Sequence, residues 1–411
     1  MSMTAITSES PAAPPAEAEE TFPFVRKCPF APPEQYAQFR EEPVKLIPLA
    51  TGLRIWAVTG YHNIRALLTD PRVSASRKHA NFPFYFNAPP EFRTETSFIG
   101  YDMPEHAATR RKAAVTFTNR QVNLLKPKIE QVVDEALDAM AAMEPPVDMH
   151  YVLSLRVPMT VICLLLGIPY EDHEFFQTNG TVLLGGTATM EQRQAALVDV
   201  NNYLVSLVEL KQREPGEDLI SRAVAEYRAN GEDFTTRDLV NLCRLLMNGG
   251  HETTASMLSL GTAALLEHPA ELAKLKADPT LVEAATEELV RYLTIGDAAV
   301  PRVALEDIEL AGATIKAGDG ILCLGLTGNR DPEVYENPDE LILERGSRKH
   351  LGFGHGLHHC IGADLARAEM VLVWSKLFNR FPNLRLAKPF EQIPSKERAI
   401  IYGLWGLPVT W

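Results

Sequence analysis

The stretch Phe353-Gly-His-Gly-Leu-His-His-Cys360-Ile-Gly362 places one cysteine among three glycines, directly before a segment whose apolar spacing predicts a helix. Glycine adopts positive φ angles readily and lets a backbone approach a flat ligand closely. A thiol at the N-terminus of a helix lies at the positive end of the helix dipole, which favours the thiolate. The stretch therefore indicates a loop that offers a thiolate to a metal centre.

From the residues alone, two other interpretations of this loop stay open. One is a tight turn around a buried free thiol. The other is a zinc site in which Cys360 is joined by His355, His358 and His359. The loop lacks the paired ligand spacing of zinc sites, and the sequence contains no second ligand pair, so the zinc site is the weaker alternative.

A second informative stretch is Asn248-Gly-Gly-His-Glu-Thr-Thr254, which lies inside a long segment with apolar residues at helical spacing. Thr235 and Asp238 form a start of the capping-box type, and Pro269 follows the end of the segment. At 1.5 Å per residue this helix spans about 50 Å, which is enough to cross an entire domain.

The adjacent glycines of this helix require a physical reason, because each one destabilises a helix by about 1 kcal/mol relative to alanine. We expect the Thr253 hydroxyl to donate a hydrogen bond to the Gly249 carbonyl four residues earlier, which bends the helix. The result is a groove flanked by the hydroxyl of Thr253 and the carboxylate of Glu252. Close packing of a neighbouring helix against Gly249 and Gly250 is the alternative.

Composition narrows the class of protein. The 411 residues are 46% hydrophobic and 23% charged, which is typical of a globular enzyme. A formal net charge of −13 argues against a general binder of nucleic acid or anionic membranes. We find neither a signal peptide nor an apolar run that could span a membrane, and we expect a soluble, cytoplasmic protein. Scattered, unpaired cysteines argue for a reducing compartment, and they are Cys28, Cys163, Cys243, Cys323 and Cys360.

Periodicity predicts a mainly α protein with small β-sheets, an α+β fold class. Helices are predicted over residues 60–70, 122–143, 151–166, 190–212, 218–230, 236–268, 281–292 and 361–381. Strands are predicted over residues 54–58, 300–304, 308–310 and 320–324. Residues 1–21 lack periodicity, so we interpret them as a disordered acidic tail and residues 22–411 as a single domain.

In this order and spacing, the motifs resemble those of cytochromes P450. The haem loop of that family, Phe-x-x-Gly-x-His-x-Cys-x-Gly, is matched by Phe353, Gly356, His358, Cys360 and Gly362. The resemblance covers residues 22–411 and implies the cytochrome P450 fold, with haem b between the long central helix and the helix that follows the cysteine. The length and the N-terminus resemble the soluble bacterial class that is fed by ferredoxin, and in particular an actinobacterial group.

Two further motifs carry the same resemblance. Glu288 and Arg291 match the family's Glu-x-x-Arg, and with Arg345 they are expected to form a buried structural triad. The run from Gly250 to Thr254 matches the oxygen-activation stretch of the long central helix.

The resemblance also assigns roles to single residues. Cys360 is implied as the axial thiolate ligand of the haem iron. Glu252 and Thr253 are implied as the catalytic acid–alcohol pair that organises water and delivers protons. Cationic or hydrogen-bonding side chains are expected at the haem propionates. The expected cofactor-binding residues are His106, Arg110, Arg302, Phe353, Gly354, His358, Cys360 and Gly362.

Substrate contacts are expected to form an apolar pocket for a sizeable lipophilic molecule. Many aromatic side chains lie in the long loop between residues 82 and 98, which indicates a lid or a pocket wall, with a satellite core beneath the loop as the alternative. The run from Leu183 to Gly186 indicates a mobile lid turn. The expected pocket residues are Phe82, Phe84, Phe86, Leu246, Gly249, Ala298, Val300, Ile400 and Ile401.

We therefore expect a monooxygenase that inserts one atom of O2 into a secondary-metabolite, terpenoid, steroid or macrolide-like molecule. The resemblance implies electrons from NAD(P)H through ferredoxin reductase and ferredoxin, and nothing requires more than a monomer. Peroxide-driven or coupling chemistry and a haem-binding sensor are alternatives, which the presence of Glu252 and Thr253 disfavours. The basic patch expected to dock an acidic ferredoxin comprises Arg110, Arg111, Lys112, Arg348, Lys349 and Arg367.

Overall fold

A computed structural model of the chain describes residues 20–85, 87–88, 93, 97–114, 116–184, 189–229, 231, 235–298 and 300–411. Helices predominate among these residues, as expected. The α-helices are α1 (Tyr61–Thr69), α2 (Glu105–Ala114), α3 (Asn119–Ala141), α4 (Arg156–Leu166), α5 (His173–Leu184), α6 (Met190–Arg213), α7 (Leu219–Ala229), α8 (Thr236–Glu267), α9 (Pro269–Ala277), α10 (Val282–Leu293), α11 (Gly325–Asn329) and α12 (Ala363–Arg380).

Short strands and helical turns connect these helices. The strands are β1 (Val44–Pro48), β2 (Arg54–Val58), β3 (Val73–Ser74), β4 (Val147–Asp148), β5 (Pro301–Ala304), β6 (Ile308–Leu310), β7 (Ala313–Ile315), β8 (Gly320–Cys323), β9 (Arg385–Leu386) and β10 (Pro408–Thr410). A π-helical turn spans His150–Leu155, and 3-10 turns span Glu34–Phe39, Phe98–Gly100, Tyr170–Asp172, Pro279–Leu281, Leu343–Arg345, Gly356–His358 and Phe390–Gln392.

The largest sheet has the strand order β1-β2-β8-β5-β3, and β2 and β8 pair in parallel whereas its other pairs are antiparallel. Successive side chains of a strand point to opposite faces of a sheet. Ile55 and Ala57 accordingly pack in one apolar cluster, and Val58 and Ile321 pack in another. The smaller sheets have the orders β4-β10-β9 and β6-β7.

Most of the predicted elements are confirmed. The strands β2 and β6 have the predicted bounds, and α8 ends one residue before the predicted end at residue 268. The predicted start of α8 is also confirmed, because Thr235 Oγ1 accepts from the Asp238 amide at 3.2 Å and Asp238 Oδ2 accepts from the Thr235 amide at 2.9 Å.

Three differences from the prediction have local causes. The predicted helix over residues 151–166 is instead a π-helical turn followed by α4, because Pro158 has no amide hydrogen to donate within the regular helical pattern. The helix α9 was not predicted, and it begins at Pro269 because the first position of a helix tolerates proline. The helix α2 was missed because it buries only His106 and Ala113, which leaves no apolar stripe.

A close contact between α8 and α12 stands at the centre of the largest apolar core. A Cβ atom added at Gly261 would lie 2.3 Å from Cζ2 of Trp374. The Trp374 side chain is buried, and its Nε1 donates to Thr262 Oγ1 at 3.1 Å. The glycine therefore sets how closely the two helices approach.

The triad expected from the Glu-x-x-Arg motif is confirmed. Arg291 Nε donates to Glu288 Oε2 at 2.8 Å, and Arg345 Nε donates to Glu288 Oε1 at 3.1 Å. The side chains of Arg291 and Glu288 are 0% exposed. Arg291 also donates to the carbonyls of Asn329 and Pro338 at 2.7 and 2.8 Å, so the cluster ties α10 to the turn that precedes the cysteine.

The division into a tail (1–21) and a single domain (22–411) stays a prediction, and residues 1–19 lie outside the described residues. Within the part of the chain that the structure describes, no helix combines the length and the apolar character needed to cross a membrane.

We expect Gly261→Ala to lower the free energy of unfolding by about 1–3 kcal/mol, because the new methyl group overlaps the Trp374 ring. Gly249→Ala is the matched control in the same helix, since a Cβ there meets no atom within 4 Å. Chemical denaturation of both variants measures the difference. Equal stability of the two variants would contradict the packing role of Gly261.

Candidate functional site

A cavity of about 360 Å³ brings the two main sequence motifs together. One part of its wall is the middle of α8, including Gly249 and Thr253. Another part is the Cys loop, residues 353–362, with the thiol of Cys360. The site therefore lies between the long central helix and the loop before α12, as the sequence analysis expected.

The Cys loop has a backbone that only glycine adopts easily. Gly354 and Gly356 have φ angles of 73° and 71°, in the left-handed region. A Cβ at Gly356 would also lie 2.4 Å from the carbonyl oxygen of Leu68 at the end of α1. The Cys360 amide donates to the Phe353 carbonyl at 2.8 Å and closes the loop. These glycines thus determine the shape of the loop and its packing.

The electrostatic surroundings of Cys360 differ in part from the expectation. Burial raises the pKa of the Cys360 thiol, although the Gly362 amide and the guanidinium groups of Arg110 and Arg367 act in the opposite direction. Burial therefore outweighs the helix N-terminus that the sequence indicated. A coordinating metal cation is the kind of group that deprotonates such a thiol outright.

Four basic residues from three elements meet at one side of the cavity. His106 and Arg110 lie one turn apart on α2, Arg302 lies on β5, and His358 lies in the Cys loop. The rings of His106 and His358 have their centroids 4.2 Å apart. Burial, assisted by the nearby Arg302, His106 and Arg110, lowers the pKa of His358 to about 3. The positive charge at this side of the cavity therefore comes from Arg110 and Arg302.

This basic cluster fits a ligand that carries carboxylates. Neither ring nitrogen of His106 has a hydrogen-bond partner among the described residues, although the side chain is buried. Burial lowers the pKa of Arg302, and neither Arg302 nor Arg110 forms an ion pair within the described ranges. Buried cations are costly unless an anion compensates them. The two propionates of haem b would supply that charge, so the residues present fit the haem that the resemblance implies.

The hydrogen bond predicted within α8 is confirmed. Thr253 Oγ1 donates to the Gly249 carbonyl at 2.6 Å. A Cβ added at Gly249 would meet no atom within 4 Å, whereas one at Gly250 would lie 2.6 Å from Cδ1 of Ile162 in α4. Both interpretations of the glycines therefore hold, since Gly249 opens the cavity wall and Gly250 permits close helix packing.

Glu252 was expected to flank the groove in α8, but the structure places it elsewhere. It does not line the cavity, and its carboxylate forms an ion pair with Lys396. Ser256 Oγ also approaches Glu252 Oε1 at 3.5 Å. Consecutive residues of a helix point about 100° apart, so Thr253 faces the cavity while Glu252 faces the C-terminal segment.

Arg367 is not part of an exposed basic patch, which corrects the expectation for it. Its side chain is 14% exposed, and its Nε lies 2.6 Å from Oε1 of Glu287. His350 Nε2 lies 2.9 Å from the same carboxylate, and Arg348 reaches it from the surface at 3.4 Å. Although burial opposes it, hydrogen bonds from His350 and Arg367 lower the pKa of Glu287 to about 2. Because Arg367 also lies 4.5 Å above the Phe353 ring, it holds the Cys loop.

Several of the expected pocket residues line the cavity. They are Leu246, Gly249, Val300 and Ile401. The expected cofactor-binding residues that line it are Arg110, Arg302, Phe353, Gly354, His358, Cys360 and Gly362.

Four other expected pocket residues do not line this cavity. Phe82 and Phe84 line a separate cleft, where their ring centroids are 4.8 Å apart. Ala298 is buried in an apolar cluster beside the large sheet, and Ile400 is 39% exposed and does not line the cavity. Phe86 lies outside the described residues, as do Gly185 and Gly186 of the expected lid turn.

Some residues of the cavity wall were not predicted from the sequence. Glu369 on α12 lines the cavity and is buried, and burial raises the pKa of its carboxyl well above the usual range. Its position in the apolar run of α12, between Ala368 and Met370, is the signal that could have marked it. Phe117 and Ile295 line the wall as well, and no local pattern distinguishes them from core residues.

Comparisons with known proteins agree with this geometry. The family model described as Cytochrome P450 matches residues 187–400. Pentalenic acid synthase from Streptomyces avermitilis is 43% identical over 95% of this chain and 97% of its own length. Vitamin D3 dihydroxylase from Streptomyces griseolus is 42% identical over 100% of both chains. The crystal structure of cytochrome P450 MoxA from Nonomuraea recticatena has a TM-score of 0.91 at 43% identity, with 96% of this chain and 99% of that chain covered. The chain belongs to the cytochrome P450 family, whose members bind haem b, and it is a P450 monooxygenase.

Proposed function

We propose that this monooxygenase hydroxylates or epoxidises a sizeable lipophilic secondary metabolite of the terpenoid, steroid or macrolide type. The observation that carries the proposal is a single cavity with a thiol, a helix hydroxyl and an apolar wall. Leu246, Val300 and Ile401 contribute to that wall, and apolar walls of this kind select lipophilic ligands. Two of the relatives are named for pentalenic acid and vitamin D3, which supports the substrate class.

In this proposal the chain holds the haem through residues at two places. Cys360 ligates the iron, and the propionates are bound by His106, Arg110, Arg302 and His358. When bound, the haem supplies the activation of dioxygen. These basic groups lie close together, and they have no carboxylate partners among the described residues. This supports the propionate assignment. Phe353, Gly354 and Gly362 complete the proposed set as parts of the Cys loop and the start of α12.

Glu252 and Thr253 are the proposed catalytic pair for proton delivery. The Thr253 hydroxyl donates to the Gly249 carbonyl, which leaves its oxygen lone pairs to accept a hydrogen bond from water or substrate in the cavity. Glu252 points about 100° away from Thr253 and provides a carboxyl group that is paired with Lys396 of the C-terminal segment. A proton then passes along α8 from the carboxyl side to the cavity side.

Electrons are proposed to come from NAD(P)H through a ferredoxin reductase and an acidic ferredoxin. Arg111, Arg348 and Lys349 are exposed, and Leu357 of the Cys loop is 56% exposed. Exposed positive charge suits a weak, steered encounter with an acidic partner. Arg367 is left out of the proposed docking surface because its side chain is only 14% exposed, whereas that of Arg348 is 66% exposed.

We expect Cys360→Ser to abolish the red-shifted absorption band of the reduced, carbon monoxide-bound protein, from which the family takes its name. Serine cannot supply the thiolate that produces this band. Cys28→Ser, which removes a thiol outside the cavity lining, should keep the band. A band that survives in Cys360→Ser would remove Cys360 as the iron ligand.

We expect Thr253→Ala to lower the product formed per NAD(P)H by at least roughly tenfold and to raise hydrogen peroxide release, because positioned proton donors contribute at least that much. Thr253→Ser keeps a hydroxyl at the same place and should retain most of the coupling. Substrate oxidation, NAD(P)H consumption and peroxide are measured together. Unchanged coupling in Thr253→Ala would count against the proposed pair.

The ferredoxin surface is tested with two arginines that contact one carboxylate. Arg348 is 66% exposed, whereas Arg367 is 14% exposed. We expect Arg348→Gln to slow ferredoxin-driven turnover at low ionic strength only, because exposed charges are screened by salt. Arg367→Gln should instead weaken the carbon monoxide band, since it disturbs the Cys loop. Turnover of Arg348→Gln equal to that of the unmodified enzyme at every salt concentration would remove Arg348 from the docking surface.

A further inference from the structure

The proposed catalytic acid is held by a lysine from the end of the chain. A bridge between Ser395 and Leu404 closes a short hairpin, and the Lys396 amide donates to the Gly403 carbonyl at 2.8 Å. This hairpin carries the Lys396 side chain to α8, where its ammonium group pairs with the carboxylate of Glu252. The contact therefore joins two positions that are 144 residues apart in the sequence.

The hairpin leaves the lysine little freedom. A Cβ added at Gly403 would lie 2.5 Å from Ser256 Oγ and 3.6 Å from Lys396 Cδ, so the backbone presses directly against α8. The ammonium group also lies 5.0 Å from the centre of the Trp405 ring, at a distance typical of a cation–π contact. Packing thus fixes the ammonium group independently of its partner.

Both members of the pair are removed from solvent. The exposed fractions are 6% for the Lys396 side chain and 14% for that of Glu252. His150 and His251 are the other titratable groups near the ammonium group. Burial and the charge of Lys396 lower their pKa values to about 3 and about 4, so both rings are neutral at pH 7. Among the described residues, Lys396 is therefore the cation that faces Glu252.

The pair stands directly behind the hydroxyl that faces the cavity. Thr253 follows Glu252 in α8 and lines the cavity, whereas Glu252 does not. Ser256 Oγ, one turn further along, approaches the same carboxylate oxygen as the lysine. The orientation of Glu252 thus depends on groups that have no contact with the cavity.

We propose that Lys396 is the positioning residue of the proton relay: it holds Glu252 as a carboxylate in a fixed orientation, so that this group can take up a proton from water and pass it toward Thr253. This inference rests on the proposed role of Glu252 and Thr253. An ionised carboxylate that loses its partner in a buried position takes up a proton or moves toward water. Proton delivery then falls behind electron delivery, and reducing equivalents leave as hydrogen peroxide.

The test begins with the protonation of Glu252 in the haem-loaded enzyme. Difference infrared spectra of each protein against its Glu252→Gln counterpart isolate the bands of this one carboxyl group. We expect a carboxylate in the unmodified enzyme and in Lys396→Arg at pH 7, and a protonated carboxylic acid in Lys396→Met. Lys376→Met is the matched control, because it removes a lysine from an ion pair with Glu130 on the surface.

Coupling is measured on the same proteins, and each must retain the carbon monoxide band. We expect Lys396→Met to lower the product formed per NAD(P)H at least roughly threefold, a fraction of what a general acid contributes. Lys396→Arg should restore coupling, and Lys376→Met should not change it. Added to Glu252→Gln, Lys396→Met should have no further effect, because the lysine acts through Glu252.

The outcomes separate this inference from the proposed function. If Glu252→Gln uncouples the enzyme while Lys396→Met keeps an ionised Glu252 and full coupling, the role of Lys396 is overturned and the acid–alcohol pair stands. The role of Lys396 is also overturned if Lys396→Met lowers coupling by the same factor with and without the Glu252→Gln substitution. If Glu252→Gln and Thr253→Ala both couple like the unmodified enzyme, the proposed proton role fails, and the role of Lys396 fails with it.

Discussion

Two neighbouring carboxylates on α10 hold the loop that carries the thiol. Because consecutive residues of a helix point about 100° apart, Glu288 binds Arg291 and Arg345, whereas Glu287 binds Arg367 and His350. Both carboxylates are buried, and a buried charge without its partner is costly by several kcal/mol. The loop therefore keeps a single position relative to α10 and α12. The cavity, its basic edge and its apolar wall all depend on that position.

The central helix α8 separates two environments that the chemistry needs apart. On one side Gly249 and Thr253 face an apolar cavity, and on the other side Glu252 meets a charged side chain of the C-terminal hairpin. Close packing at Gly250 and Gly261 holds the helix between its neighbours. A hydroxyl and a carboxyl group can thus be adjacent in sequence and still serve different faces of one helix.

Much of the fold and of the site could be predicted because its determinants are local. A capping box, helical apolar spacing and strand runs define α8 and β2 within a residue or so, since hydrogen bonding and backbone preference act over a few residues. The left-handed angles of Gly354 and Gly356 and the bond from Thr253 to Gly249 also depend on short segments. Substrate contacts could not be predicted in the same way, because the cavity wall combines side chains from many elements.

The amino-acid sequence by itself determined the mainly α fold, the thiol loop, the Glu288–Arg291 pair and the bond from Thr253 to Gly249 in α8, because each is encoded in neighbouring residues. Only the tertiary structure decided which side chains of distant segments meet. It pairs Lys396 with Glu252, buries Arg367 in a cluster with Glu287, and places Phe82 in a separate cleft. Such contacts follow from how helices and loops pack, and no short-range pattern in a sequence records that packing.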